Sequence, residues 1–142
     1  MKAELGTVIC GTMKTEDLIP AFTKVLKELD TEKTYSQLIE DCENFRDYEP
    51  EEQEEMLNEE LFSALDSFAP SYCYFGSHPG DGSDYGFWVS EDINENFDGK
   101  KVSDLSEVSE DYTGEVLYVN DHGNMTLYDC KKGWMSENWS IV

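Results

Sequence analysis

The stretch "LFSALDSFAPSYCYFG", Leu61 to Gly76, contains the point at which the hydrophobic period of the chain changes. Before Pro70, apolar residues recur at helical spacing, as Leu61, Leu65 and Phe68 illustrate. After Pro70 the period is two, and aromatic residues and glycine become more frequent, which is typical of strands. The sequence therefore predicts helices in the first half and strands in the second.

Three amphipathic segments precede Pro70. In the first, "TEDLIPAFTKVLKELD", Thr15 is a candidate N-cap, and Pro20 either bends the helix or marks its start. The second is "KTYSQLIEDCENF". The third begins with Pro50 at its first position, followed by acidic residues that suit the positive end of the helix dipole.

Strands are predicted in the second half. "SYCYFG" and "DYGFWVS" are joined by the loop "SHPGDGS", "EVLYVNDHGNMTLYDC" is the clearest hairpin, and "GWMSENWSIV" is a last strand. We expect an α+β fold with about three N-terminal helices packed on a C-terminal antiparallel β-sheet of four to six strands. The expected organisation is one domain over residues 1–142, with a helical part at 14–69 and a β-rich part at 71–142.

Charge is the most unusual feature of the composition. The chain has 32 Asp and Glu residues against 10 Lys and Arg, which gives a formal net charge of −22. Such a surface repels nucleic acid and anionic membranes, and no apolar run approaches the roughly 20 residues that span a bilayer. The four cysteines form no C-x-x-C pair. We expect a cytoplasmic protein with reduced thiols and no cofactor.

Two histidines lie near carboxylates and are the candidates for a metal or acid–base site. His78 precedes Asp81 and Asp84, and His122 lies beside Asp121 in "NDHGN". Turn chemistry explains both segments more simply, because Asn, Asp, Gly and Pro favour turns. A small metal-dependent hydrolase or ligand-binding protein would require the two loops to meet, and no nucleophile motif is present. We expect no catalytic residues and no enzyme.

Aromatic residues cluster on two adjacent predicted strands. The preferred interpretation is a sheet face packed against the helices. Any exposed remainder could form a secondary protein interface, since Tyr and Trp are favoured there. The residues proposed for it are Tyr74, Tyr85 and Trp88.

An acidic run covers the third predicted helix. From Glu49 to Asp66 there are eight acids and no base. Eighteen helical residues span about 27 Å, which is about one charge per 3.4 Å, close to the phosphate spacing along one DNA strand. The alternative is a solvated helix face whose acidity serves only solubility. The candidate partner-binding residues are Glu51, Glu52, Glu54, Glu55, Glu59, Glu60, Asp66, Glu91, Asp92 and Glu95.

Several segments resemble a known group of proteins. "GTMKTEDLIPAF", "LFSALDSFAPSYCYFGSHPGDGSDYGFW", "DYTGEVLYVNDHGNMTLY" and "WSIV" are similar to small acidic proteins encoded by bacteriophages, prophages and conjugative elements. The resemblance covers most of the chain and implies a protein made by a mobile element inside a bacterial cell. It supplies no catalytic residue. By analogy of charge and setting, it suggests inhibitors of host defence, such as antirestriction and anti-CRISPR proteins that imitate nucleic acid.

The leading hypothesis is a non-enzymatic acidic inhibitor that mimics nucleic acid. Its partner would be the basic surface of a nucleic-acid-binding host protein, such as a CRISPR effector, a restriction enzyme or a transcription factor. The alternative is an accessory protein–protein interaction module that binds through its aromatic sheet or an exposed strand edge. A homodimer is compatible with either hypothesis.

Overall fold

The computed structural model describes residues 2–141, and the residues cluster into two compact units. The first unit consists of the chain up to Ala69 together with Cys73–Val89. The second consists of Pro70–Tyr72 and the chain from Ser90 onward. The α+β class is confirmed. The single domain over residues 1–142 stays a prediction, and the last residue of the predicted strand "GWMSENWSIV" lies outside the described residues.

The first unit combines helices with a three-stranded sheet. Its elements are β1 (Gly6–Ile9), α1 (Thr15–Leu29), α2 (Ser36–Glu43), a 3₁₀ turn (Phe45–Asp47), α3 (Pro50–Glu55), a π-helical turn (Met56–Leu61), α4 (Phe62–Asp66), β2 (Cys73–His78) and β3 (Asp81–Val89). The sheet has the order β1-β3-β2, and both pairings are antiparallel. The predicted strands β2 and β3 therefore belong with the helices, and β1 had not been predicted.

Helix α1 differs from the prediction at its N-terminus. Thr15 is the first helical residue and Lys14 occupies the N-cap position without a side-chain cap, so the N-cap prediction for Thr15 is wrong. The helix continues through Pro20 and does not begin there. Pro50 is at the start of α3, as predicted.

Aromatic rings at the centre of the first unit join the helices to the sheet. Phe22 of α1 is fully buried, and its ring centroid lies 4.9 Å from that of Phe75 on β2 and 5.4 Å from that of Phe62. Leu61 and Leu65 are also fully buried, so the helical segment 50–66 lies against this core along one side.

The second unit contains a four-stranded sheet. Its elements are α5 (Ile93–Asn96), β4 (Lys100–Val102), β5 (Gly114–Val119), β6 (Met125–Lys131) and β7 (Trp134–Ile141), in the sheet order β4-β5-β6-β7. The β5–β6 hairpin is confirmed. The prediction of one antiparallel sheet is wrong in two respects: the strands form two sheets, and β4 runs parallel to β5. Residues 103–113 connect β4 to β5 and include a short 3₁₀ turn capped by Asp104. Parallel strands need such a crossover connection in place of a tight hairpin turn.

Candidate functional site

The acidic helix, defined as residues 50–66, separates charged and apolar side chains. Its inward side chains are buried, namely Met56, Leu57, Leu61, Ala64 and Leu65. The six glutamates of the predicted site are all exposed, namely Glu51, Glu52, Glu54, Glu55, Glu59 and Glu60. Burial of the apolar side offsets the repulsion among the charges on the other side.

A π-helical turn at Met56–Leu61 sets the register of this helix. The N–H of Phe62 donates to the carbonyl of Leu57, five residues earlier. Residues five apart diverge around an α-helix but share a face in a π-helical turn. The glutamates five apart across this turn, Glu54 with Glu59 and Glu55 with Glu60, are therefore kept on a common exposed side.

Few cations oppose these charges. Within residues 2–141 the ion pair is between Lys27 and Glu43, at 3.3 Å, and none involves the acidic helix. A groove of about 420 Å³ between α1 and α2 is lined by Lys24, Lys27 and Arg46, but by none of the acids of the helix. The exposed side of the acidic helix consequently carries uncompensated negative charge.

Both ends of the acidic helix are fastened to neighbouring backbone. Near the first end, the Gln53 side-chain amide donates to the carbonyl of Tyr48 at 2.9 Å. At the other end, Oδ1 of Asp66 accepts the backbone N–H of Phe75 on β2 at 2.9 Å. Asp66, predicted as a partner-binding residue, therefore also holds the helix to the sheet.

Three further acids of the predicted site belong to the second unit. Glu91, Asp92 and Glu95 are exposed around the short helix α5. Oδ2 of Asp92 accepts a hydrogen bond from the Asn96 amide at 2.7 Å. These three residues are therefore not part of the acidic helix, which contains the first seven.

The aromatic residues proposed for a secondary interface divide between two sides of the first sheet. Tyr85 is 7% exposed, and its ring packs on Phe22 and Phe62 in the core, so it is not available as a surface anchor. Tyr74 and Trp88 form a cross-strand pair and are half-buried. Because side chains alternate along a strand, Tyr74 and Trp88 lie on the face away from the helices.

His78 takes part in a turn between β2 and β3. Its Nδ1 accepts the backbone N–H of Gly80 at 2.9 Å, and its ring meets the Trp88 ring edge-on at 4.7 Å. In the same turn, hydrogen bonds from the backbone and side chain of Ser83 lower the pKa of Asp81. These contacts are those of a tight hairpin turn.

His122 lies at the exposed tip of the β5–β6 turn, as predicted. Oδ1 of Asn120 accepts the backbone N–H groups of His122 and Asn124, and Gly123 has φ +83°. An Asx turn with glycine at a positive φ accounts for the backbone conformation of this segment.

The metal candidates do not converge on a cation site. In the part of the chain that the structure describes, no three His, Cys, Asp or Glu side chains are grouped as they would be to hold a metal ion. One oxygen of Asp84 is buried without a hydrogen-bond partner. His78 and Asp81 are held in turn contacts, so their side-chain atoms stabilise loops.

Comparison with protein-family models, with curated proteins and with solved structures gave no match. No helix among the described residues is long and apolar enough to cross a membrane. The candidate site therefore depends on the geometry and charge of the acidic helix. The sequence could have indicated the π-helical turn only through the five-residue spacing of Met56 and Leu61, which is a weak signal.

Proposed function

We propose that this protein is a non-enzymatic inhibitor whose acidic helix occupies the Lys- and Arg-lined groove of a nucleic-acid-binding protein. The carboxylates of Glu51, Glu52, Glu54, Glu55, Glu59 and Glu60 stand in for phosphates. The observation that carries the proposal is a helix with six exposed glutamates, fastened ends and no ion pair to any residue in the range 2–141.

Physical chemistry supports this use of the helix in two ways. An array of unpaired carboxylates attracts a basic groove over long range and speeds association. Carboxylates also accept charge-assisted hydrogen bonds from guanidinium groups much as phosphates do. Repulsion among the carboxylates lowers the stability of the fold. Binding of a cationic partner would relieve that repulsion, which gives a reason for the chain to keep the array.

The proposal is tested with the full chain and a bacterial lysate. Immobilised protein is incubated at low and high salt, and bound proteins are eluted with double-stranded DNA. We expect capture of nucleic-acid-binding proteins, displacement by DNA and loss of binding at high salt. The isolated partner is then tested for inhibition of its own DNA or RNA binding.

A matched pair of variants separates the acidic helix from net charge. One replaces the six helix glutamates by glutamine. The control replaces six other exposed glutamates by glutamine, namely Glu4, Glu16, Glu28, Glu32, Glu40 and Glu110. We expect the first variant to lose at least about tenfold in affinity, which is about 1.4 kcal/mol, and the control to lose much less. Equal losses in the two variants, or binding that salt and DNA leave unchanged, would show the proposal to be wrong.

A further inference from the structure

The two sheets have four edge strands, and three of them are short or shielded. β1 has four residues and an irregularity between Thr7 and Ile9, and β4 has three residues. β2 is longer, but side chains engage two backbone groups on its outer edge. Short and covered edges are common means of preventing one sheet from pairing with another.

The shielding of β2 is visible in its hydrogen bonds. The backbone N–H of Phe75 donates to Oδ1 of Asp66 at 2.9 Å. The hydroxyl of Tyr74 donates to the carbonyl of Ser77 at 2.8 Å. Phe75 and Ser77 alternate with the residues that bond to β3, so two backbone groups on the outer edge of β2 are already engaged by side chains.

β7 is the exception among the edges. It has eight residues, pairs with β6 on one side, and has no strand on its other side within residues 2–141. Trp134, its first residue, is 83% exposed. Among the described residues the other large hydrophobic side chain with high exposure is Met13, at 67%. An open edge with an exposed indole is a site for strand addition.

The charge around β7 favours a second copy of this chain as the partner that pairs with its open edge. Residues 131–141 contain Lys131, Lys132 and one acid, Glu137, which gives a local charge of +1 in a chain of −22. On most other surfaces a second copy of this chain would meet acid with acid. Asp129, which lies opposite Ser136 on β6, balances the local positive charge of residues 131–141. At β7 the local repulsion is therefore small, and an antiparallel pairing brings the lysine end of each strand towards Glu137 of the other.

We propose that β7 pairs with β7 of a second copy, in antiparallel orientation about a two-fold axis, to join two four-stranded sheets. The pairing segment is Trp134–Glu137, the regular part of β7 before Asn138, which the register shift opposite Leu127 and Tyr128 leaves as a bulge. This segment is as short as β1, and the exposed indole of Trp134 is what distinguishes it, because β1 has no aromatic side chain to bury. The same residues on both copies supply the hydrogen bonds, as a two-fold interface requires. The two Trp134 side chains bury indole surface beside that ladder.

This association and the inhibitor role respond to salt in opposite directions. Two chains of charge −22 repel each other, so added salt favours the dimer. Salt weakens binding of the acidic helix to a basic partner. The two proposals can therefore fail independently. Loss of the dimer would leave the salt-sensitive partner binding unchanged, and loss of partner binding would leave the salt-strengthened dimer unchanged.

The test measures the mass of the full chain in solution by analytical ultracentrifugation, over a range of protein and salt concentrations. We expect a reversible dimer that strengthens with salt. Trp134→Glu should weaken it at least about tenfold, because a buried indole is replaced by a charge that repels its own copy. Ser136→Glu, at an exposed position of the same strand, should do the same.

Met13→Glu is the matched control, since it makes the same charge change at the other exposed hydrophobic residue. It should leave the dimer intact. Hydrogen exchange provides a second measurement: amides of β7 should gain protection as protein concentration rises. A single-chain mass at high micromolar concentration and high salt would overturn the proposal. A dimer that resists both β7 variants, or that Met13→Glu disrupts equally, would also overturn it.

Discussion

The hydroxyl of Tyr72 donates a hydrogen bond of 2.7 Å to Oε1 of Glu115, although the backbone of Tyr72 has φ +64°. A bulky residue seldom adopts such a conformation, which is costly unless its surroundings enforce it. The Tyr72 ring also meets that of Phe97 edge-on, with centroids 5.3 Å apart. The hydrogen bond and the ring contact therefore hold this residue in a strained conformation.

Tyr72→Phe should destabilise the protein by about 1–2 kcal/mol at neutral pH, because a partly exposed hydrogen bond to a carboxylate is lost. The hydrogen bond to Glu115 and burial raise the pKa of Tyr72 from 10.0 to about 12. Because the folded-state pKa is the higher one, this contribution is complete below pH 10 and is lost as pH rises towards about 12. Urea unfolding at neutral and alkaline pH measures it. Tyr118→Phe, at another half-buried tyrosine, should have little effect; identical alkaline profiles for Tyr72→Phe and the parent protein would contradict the prediction.

Deletion of Asn58 should be tolerated. This exposed residue lies in the π-helical turn, and removing one residue there converts the turn to regular α-helix while the buried and acidic sides keep their alignment. Deletion of Ser63, which is exposed in α4, should instead rotate the apolar side out of the core and cost several kcal/mol. Circular dichroism and thermal unfolding compare the two. Equal destabilisation would mean that the π-helical turn does not absorb an extra residue.

Glu55→Lys should stabilise the fold by about 0.5–1 kcal/mol, because repulsion from Glu51, four residues earlier, becomes attraction in the favourable orientation. The same change should weaken binding to a basic partner. Glu32→Lys changes the charge equally at an exposed position outside the helices and serves as the control. Thermal unfolding at low and high salt should show the gain shrinking as salt rises. A gain at Glu32 as large as that at Glu55 would argue against local repulsion.

Replacement of Asp66 should separate its hydrogen bond to Phe75 from the partner-binding charge that we propose for it. Asp66→Ala leaves the N–H of Phe75 without its acceptor and should cost about 1–3 kcal/mol. Asp66→Asn retains an acceptor oxygen while removing the charge, so it should cost clearly less. Urea unfolding of both variants, with binding measured on the asparagine variant, makes the comparison. Equal stability of the two variants would show that the hydrogen bond contributes little.

Thiol reagents should label Cys10 well before the other cysteines. Cys10 is exposed, whereas burial raises the pKa values of Cys42 and Cys73 to about 12, which leaves little thiolate near neutral pH. Cys130 is buried and its thiol donates to the carbonyl of Tyr112 at 3.3 Å. Labelling with a disulfide reagent and peptide mapping should show one fast thiol, absent in Cys10→Ser. Labelling of Cys42 at a similar rate in folded protein would contradict this.

Local patterns predicted the elements of this fold better than their pairing. The hairpin around His122 followed from alternation and from Gly123 at the turn. The α+β fold class followed from the change of the hydrophobic period, from helical spacing to two, at Pro70. The parallel placement of β4 and the division of the strands between two sheets depend on contacts far apart in the chain, which periodicity does not report.

At the candidate site, too, local patterns predicted what depends on neighbouring residues and missed what depends on tertiary packing. The exposure of the helix glutamates followed from the stripe that includes Leu57, Leu61 and Leu65. Alternation along the strand places Tyr85 and Trp88 on opposite faces. It does not tell which face the helices cover, so the burial of Tyr85 could not be predicted. The role of Asp66 as a backbone acceptor required the position of β2, which is set by tertiary packing.

The contacts at Gln53 and Asp66 have a consequence for the thermodynamics of recognition. A flexible acidic tail would lose backbone conformational entropy when a partner ordered it, at about 1–2 kcal/mol per residue. The acidic helix has already lost that entropy on folding, so association would immobilise chiefly side-chain tips. Binding of a partner would therefore cost the acidic helix less conformational entropy than it would cost a disordered segment of the same charge.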